Sequence, residues 1–104
     1  GFQIMKDLNS TGIKPLVLDE IIEIAKKYKV EKVILFGSRA RGDHTRASDI
    51  DLAVSGGDMT GFTLDVKETT STLLDFDVVD LNSPVQKELL TSIYKEGIVL
   101  YEKI

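Results

Sequence analysis

The sequence contains no cysteine and no long apolar run. Without cysteine there is no disulfide, no thiolate nucleophile and no cysteine-ligated zinc site, which is compatible with a reducing cytoplasm, where we expect the protein to act. No apolar run approaches the roughly 18 residues of a bilayer span. Residues 1–15 also lack the continuous apolar core of a secretory signal. We therefore expect no association with a membrane.

An excess of positive charge is also missing. The chain has 17 acidic and 13 basic residues and a net charge of −4, so no overall basic field exists to hold a phosphate backbone, which argues against nucleic acid as a partner. At 104 residues it has the length of one domain, without room for a separate substrate domain. A substrate is therefore expected to dock from outside.

The pattern of apolar residues predicts an irregular lead-in over residues 1–15 and a single domain over residues 16–104. A first helix has Leu18, Ile21 and Ala25 on one face. The elements predicted after it are a strand at 33–36, a strand at 49–54, a helix spanning 62–73, a strand at 76–81, a helix with Ser83 as N-cap and Pro84 at its first position, and a strand at 98–101. A loop with room for one short helical turn joins the first two strands, and helices connect the others. This order predicts an α/β fold whose mixed sheet is flanked by helices.

Two aspartates stand two positions apart in an alternating, strand-like segment. Asp49 and Asp51 leave the same face of such a strand, with Cα atoms roughly 6.6 Å apart. Paired carboxylates repel each other and resist desolvation, and a shared divalent cation removes that cost. Mg²⁺ prefers such oxygen ligands and takes others from substrate phosphates. The alternative interpretation is the solvated face of an edge strand, since this spacing is common by chance.

The segment before these aspartates has the residues of a phosphate site. Gly37 and Ser38 end a buried strand, where a glycine permits tight backbone geometry and amides can cradle phosphate oxygens. Arg39 and Arg41 can pair with phosphate charge, although a solvated basic loop would look the same. Ser48 directly precedes the aspartate pair, so it either orients Asp49 or a phosphate oxygen or is a plain serine at a strand entry.

A third aspartate lies inside the apolar strand at 76–81. Asp77 is disfavoured there by strand propensity and by burial, so its charge is expected to be compensated. If this strand lies beside the strand of Asp49 and Asp51, the three residues form a carboxylate cluster.

Together these residues resemble the signature of the DNA polymerase β-like nucleotidyltransferase superfamily. The matching pattern is Gly37 and Ser38, ten intervening residues, Asp49 and Asp51 around an isoleucine, and later Asp77. The short chain is most similar to the minimal nucleotidyltransferase (MNT) branch, from the first helix to the last strand. As a joint pattern it is far more specific than any of its parts.

The resemblance implies a nucleoside triphosphate as co-substrate. Gly37 and Ser38 would hold its β and γ phosphates through backbone amides and the serine hydroxyl. Arg41 would assist, together with Arg39. The resemblance implies ATP as this triphosphate, while the residues themselves show no preference for adenine.

The resemblance also implies a role for each carboxylate. Asp49 and Asp51 would bind two Mg²⁺ ions, although Mn²⁺ accepts the same oxygen ligands. Asp77 would ligate the second ion and help to take the proton of the attacking hydroxyl. All three would be catalytic residues.

Minimal nucleotidyltransferases are typically paired with a small helical HEPN protein as antitoxin and toxin. The resemblance implies transfer of AMP to a tyrosine hydroxyl of that partner, within a homo- or hetero-oligomer. The amphipathic last helix, with Ile93 and Tyr94, is a candidate contact surface. Two alternatives stay open: an enzyme that modifies a small molecule, as aminoglycoside nucleotidyltransferases do, and a non-catalytic module that neutralises its partner by covering it.

Overall fold

The computed structural model describes residues 8–103. Within this range a short 3₁₀ turn at Leu8–Thr11 precedes four helices and four strands. In chain order these are α1 (Pro15–Lys27), β1 (Lys32–Phe36), α2 (Gly37–Arg41), β2 (Ile50–Ser55), α3 (Met59–Thr69), β3 (Phe76–Asp80), α4 (Lys87–Glu96) and β4 (Ile98–Glu102). None of the helices in this range has the length and hydropathy that a membrane span requires.

The four strands form one mixed sheet in the order β3-β2-β1-β4. β1 runs antiparallel to both β2 and β4, whereas β2 and β3 are parallel. A parallel pair needs a crossover connection, and α3 supplies it. The predicted α/β fold with a mixed sheet and flanking helices is confirmed.

Alternation along β2 divides the sheet into two faces. Ile50, Leu52 and Val54 are fully buried in the larger core, which also contains the apolar residues of α1 and α3. Ala53 belongs to the second face, where it packs with Ile93 of α4. Asp51 lies two residues before Ala53 and therefore on the same side of the sheet as α4.

Three predicted helices differ from the structure in their bounds. The helix predicted at 62–73 is α3 at Met59–Thr69, so Leu73 lies beyond its end, in the segment before β3. Pro15 is already the first residue of α1, and the predicted lead-in contains the 3₁₀ turn, while residues 1–7 lie outside the described range. The last helix begins at Lys87 with Gln86 as N-cap, so the prediction of Ser83 as its cap was wrong. Ser83 Oγ instead donates to Asp80 Oδ2 at 3.0 Å in the turn that follows β3. The division between lead-in and domain at residue 15 stays a prediction.

The predicted contact surface on the last helix is only partly exposed. Ile93 is fully buried against the sheet, so it is part of the core and not of a partner surface. Tyr94 is 62% exposed. The polar side of α4 faces solvent, as the 3.6-residue period of an amphipathic helix requires.

Candidate active site

Two of the three predicted carboxylates lie side by side in the sheet. Asp51 is the second residue of β2 and Asp77 the second residue of β3, and their Cα atoms are partners in the parallel ladder. Partners in adjacent strands point to the same face, with strands about 4.8 Å apart. Asp49 is exposed and directly precedes β2. The structure therefore brings all three to one edge of the sheet.

The charges at this edge act on one another. Asp51 is half-buried, and burial raises the pKa of its carboxyl above 3.8. The negative charges of Asp77 and then of Asp49 raise this pKa further, while the positive charge of Arg41 opposes them. The cluster is thus a concentration of negative charge that Arg41 opposes only in part.

Gly37 borders this cluster at the end of β1. Its predecessor Phe36 is the ladder partner of Asp51, and Gly37 has φ +75° at the first position of α2. A Cβ on Gly37 would collide with the carboxylate of Asp51, in addition to the strain of the left-handed conformation. Only glycine therefore lets the backbone of α2 approach the Asp51 carboxylate. Ser38 follows it and is half-buried.

Arg41 reaches the charged edge, but acidic neighbours hold it. Its Nε donates to Asp43 at 3.2 Å, and its Nη1 donates to Glu96 of α4 at 3.2 Å. These hydrogen bonds, that to Asp43 first, raise the pKa of the Arg41 guanidinium. Both of these ion pairs of Arg41 are exposed, so a stronger anion such as a phosphate can compete with Asp43 and Glu96 for the guanidinium.

Arg39 is not brought to the carboxylates. It is 2% exposed, and its guanidinium donates to four backbone carbonyls. These acceptors are Thr11 at 2.8 Å, Ser48 at 3.0 Å, Arg46 at 3.3 Å and Thr45 at 3.4 Å. Burial lowers the pKa of the guanidinium. Arg39 thus joins the 3₁₀ turn to the loop that leads into Asp49.

Ser48 also belongs to that loop. Its Oγ accepts a hydrogen bond from the backbone N–H of Thr45 at 2.9 Å, which closes a local turn. Its carbonyl accepts from Arg39. Ser48 therefore shapes the approach to Asp49 with both of its oxygen atoms.

Sequence analysis did not identify every residue that contributes to the site. Glu96 lies 55 positions from Arg41, and nothing in the local pattern connects them. The sequence could have shown that Arg39 and Arg41 point in different directions, because residues two apart in a helix point roughly 200° apart. Once the segment after Gly37 forms a helix, only one of the two arginines can face the carboxylates.

The donor set fits Mg²⁺ in its chemistry. Carboxylate oxygens are its preferred ligands. The pKa of Asp51 is raised first by burial and then by the negative charges of Asp77 and Asp49, and a bound divalent cation would favour the ionised carboxylate. Within residues 8–103, no three His, Cys, Asp or Glu side chains stand close enough together to hold a metal ion by themselves. Mg²⁺ commonly binds to one or two carboxylates and completes its coordination with water and substrate phosphates, which suits Asp51 and Asp77.

Comparisons with known proteins agree with this geometry. The family model described as "Polymerase beta, Nucleotidyltransferase" matches residues 19–104. A relative from Methanocaldococcus jannaschii, named "Putative protein adenylyltransferase MJ0604", is 37% identical over 90 residues, which span 75% of this chain and 87% of the relative.

Solved structures show the same fold. A toxin-antitoxin crystal structure with AMP-PNP is similar at a TM-score of 0.66 and 27% identity, covering 83% of this chain and 73% of that chain. A variant of the toxin-antitoxin MntA-HpeT is similar at 0.65 and 25% identity, with the same coverage. The resemblance predicted from the Gly-Ser and aspartate pattern is confirmed. The chain therefore belongs to the polymerase beta family of nucleotidyltransferases.

Proposed function

We propose that the protein transfers AMP from ATP, in an Mg²⁺-dependent reaction, to a hydroxyl group of a partner protein, and that the partner is a HEPN-family toxin which the transfer silences. One observation carries the reaction class. Asp51 and Asp77 stand side by side on β2 and β3, with Asp49 before them and a glycine that no other residue could replace beside them.

The nature of the substrates is supported by similar proteins. The Methanocaldococcus jannaschii relative bears the name of a protein adenylyltransferase, and one structural neighbour was solved with AMP-PNP. Both structural neighbours are toxin-antitoxin proteins. In one of them glutamate replaces two aspartates that are two positions apart, which is the spacing of Asp49 and Asp51.

The carboxylates would bind and orient the reactants. Asp49, Asp51 and Asp77 would hold Mg²⁺, which when bound stabilises the attacking and leaving oxygens of the displacement. The acceptor oxygen forms a bond to the α phosphorus, the bond from that phosphorus to the bridging oxygen breaks, and pyrophosphate leaves. Asp77 is exposed, so an external hydroxyl can reach its carboxylate and transfer its proton there.

The residues before β2 would bind the triphosphate. Gly37 and Ser38 offer backbone N–H groups at the start of α2, where helical geometry leaves them unpaired. Arg41 would exchange Asp43 and Glu96 for phosphate oxygens, because doubly charged phosphates compete well for a guanidinium. Arg39 and Ser48 would keep the loop in place without touching the nucleotide.

Intact-mass spectrometry tests this proposal. The protein is incubated with a HEPN-family partner, ATP and Mg²⁺, and the mass of the partner is measured. We expect a gain of one or more AMP units with the wild-type protein and with Asp19→Asn, an exposed substitution on α1 that leaves the site intact. Asp49→Asn should abolish the gain while the two proteins still bind each other.

Two results would contradict the proposal in different ways. If Asp49→Asn still neutralises the toxin in cells, the protein acts by covering its partner and not by modifying it. If the partner gains no mass although pyrophosphate is released in the presence of an aminoglycoside, the acceptor is a small molecule. Mapping the modified residue by peptide sequencing identifies the acceptor hydroxyl.

A further inference from the structure

A groove lies between the start of α1 and the segment that joins α3 to β3. It has a volume of about 530 Å³, and its apolar floor includes Ile13 and Val17. Leu73 and Leu74, from the segment between α3 and β3, form the opposite wall. Lys14 and Arg46 also line it, and neither belongs to the predicted catalytic residues. We call this cavity the α1 groove.

Two segments that line the α1 groove continue along the chain to the carboxylates, since Arg46 is three residues before Asp49 and Leu74 three residues before Asp77. A second cavity of about 410 Å³ shares Gly12 and Arg46 with it and is also lined by His44 and Thr45. These last residues belong to the loop that ends at Asp49. The opposite wall also ends at the site, because the carbonyl of Asp75 accepts a hydrogen bond from Ile50 N at 2.9 Å where β2 begins. The groove therefore lies at the end of the sheet where β2 and β3 begin, against α1, whereas Asp51 faces the α4 side.

The wall that contains Leu73 has a defined conformation. Glu20 of α1 accepts hydrogen bonds from the backbone N–H of Ser71 at 2.7 Å and from its hydroxyl at 2.6 Å, and these bonds lower the pKa of Glu20. Leu74 N donates to Thr72 Oγ1 at 3.1 Å, which tightens the same turn. Leu73 is nonetheless fully exposed, at 102%. A leucine that a hydrogen-bonded turn holds in water is well placed to contact another molecule.

The rim of the α1 groove is basic on an acidic protein. The net charge is −4, yet Lys14 and Arg46 are both at the rim. Within residues 8–103, neither takes part in any of the ion pairs, which use Lys26, Lys27, Lys32 and Arg41. A ligand with carboxylates beside apolar side chains would complement both the rim and the floor.

We propose that the α1 groove binds the acceptor protein, through a segment that combines apolar side chains with carboxylates. Leu73 contacts the apolar side chains above the nearly buried Ile13 and Val17, and Lys14 and Arg46 pair with the carboxylates. The assignment deepens the proposed function, since it rests on a protein as the acceptor. It places recognition of the acceptor outside the strands that carry the catalytic aspartates.

Fluorescence anisotropy with a synthetic peptide tests the proposal without the natural partner. The probe is a labelled peptide of Leu, Glu and Ser, and the comparison peptide has Lys in place of Glu. We expect the acidic peptide to bind and the basic one not to bind. Leu73→Ser and Lys14→Glu should each weaken the binding about tenfold, the usual loss when a contact that dominates an interface is removed.

Matched variants control for general effects. Leu64→Ser removes another exposed leucine, on α3, and Lys95→Glu makes the same charge change on α4, so both should bind the peptide as the wild type does. Melting temperatures confirm that every variant is folded. Equal binding by the two peptides, or no effect of Leu73→Ser and Lys14→Glu, would overturn the proposal.

Two further results would also overturn it. Displacement of the peptide by ATP with Mg²⁺ would assign the cavity to the nucleotide. If light scattering shows a dimer that Leu73→Ser dissociates, the cavity would be assigned to a second copy of the chain.

The two proposals can fail separately. Peptide binding without AMP transfer to a HEPN-family protein would contradict the proposed function and leave the groove assignment standing. AMP transfer without peptide binding would contradict the groove assignment and leave the proposed function standing.

Discussion

Arg39 is the residue on which the approach to the active site depends most. Its buried guanidinium joins four carbonyls from two segments of the chain, Thr11 on one side and residues 45–48 on the other. Arg39→Met leaves those acceptors without their donor, so we expect the free energy of unfolding in urea to fall by about 2–4 kcal/mol. Arg39→Lys should recover only part of the loss, because an ammonium cannot reproduce the planar fork.

The same variants separate a structural role from a role in phosphate binding. If Arg39→Met unfolds at the wild-type urea concentration but loses AMP transfer, Arg39 contacts the nucleotide after all. If Arg39→Lys is as stable as the wild type, the planar arrangement of guanidinium donors contributes nothing to stability. Either result would contradict the assignment of Arg39 to the loop.

Asp51 carries a cost in stability that follows from its surroundings. Burial and two neighbouring aspartates raise its pKa, so the native state binds this proton more tightly than the unfolded state does. The corresponding stabilisation is complete below pH 3.8 and is lost as the pH rises through the native-state pKa. At neutral pH and without Mg²⁺, Asp51→Asn should therefore melt at a higher temperature than the wild type.

The advantage of Asp51→Asn should shrink as the pH falls toward 3.8, where the wild-type carboxyl becomes protonated. Calorimetry at several pH values measures this trend. Asp75→Asn is the control, since Asp75 is an exposed carboxylate just before β3. A melting temperature of Asp51→Asn below that of the wild type at neutral pH would show that hydrogen bonds to the carboxylate outweigh its repulsion.

At the scale of elements, two helix starts differ in how they are stabilised. Asp58 is the N-cap of α3, and its Oδ1 accepts from Gly61 N at 3.1 Å. Asp58→Ala should lower the free energy of unfolding by about 1 kcal/mol. Ser83→Ala should cost less, because Ser83 precedes α4 and its hydroxyl donates to Asp80 in the turn after β3. Thermal unfolding of both variants tests this order, and an equal or larger loss for Ser83→Ala would contradict it.

Strands were easier to predict than helix starts in this chain. β2 was predicted within a residue because its alternation of apolar and polar residues is a local property. The start of α4 was not, because Ser83 and Pro84 resemble a cap while Asp80 engages both Ser83 and the backbone N–H of Asn82. The Ser83 hydroxyl had two possible local partners, and it bonds back to Asp80, three residues earlier, instead of capping the helix ahead.

The candidate site also combines features that the sequence predicted with features that it could not predict. The sequence identified the three aspartates but left open whether their strands are neighbours, and the ladder shows that they are, with Asp51 paired to Asp77. The burial of Arg39 could not be predicted, because it depends on carbonyls of residues 11 and 45–48 that only the folded chain assembles around it. Whether these residues hold metal and nucleotide stays a prediction.

For the molecule as a whole, the register of the sheet determines the chemistry. A slip of one residue between β2 and β3 would turn Asp51 or Asp77 to the face of α1 and α3 and place an apolar side chain at the edge. The full burial of Ile50, Leu52 and Val54 opposes such a slip, because it would expose them. The larger core and the carboxylate cluster are therefore fixed by the same packing.

The proposed placement of recognition on a connecting segment and of catalysis on strands affects how such a protein can diverge. Segments that connect secondary structure tolerate exchange and insertion, whereas paired strands do not. Residues 71–74 lie between α3 and β3, and Asp51 and Asp77 lie inside the sheet. A descendant of this chain could acquire a new client by changing the connecting segment and inherit its chemistry intact.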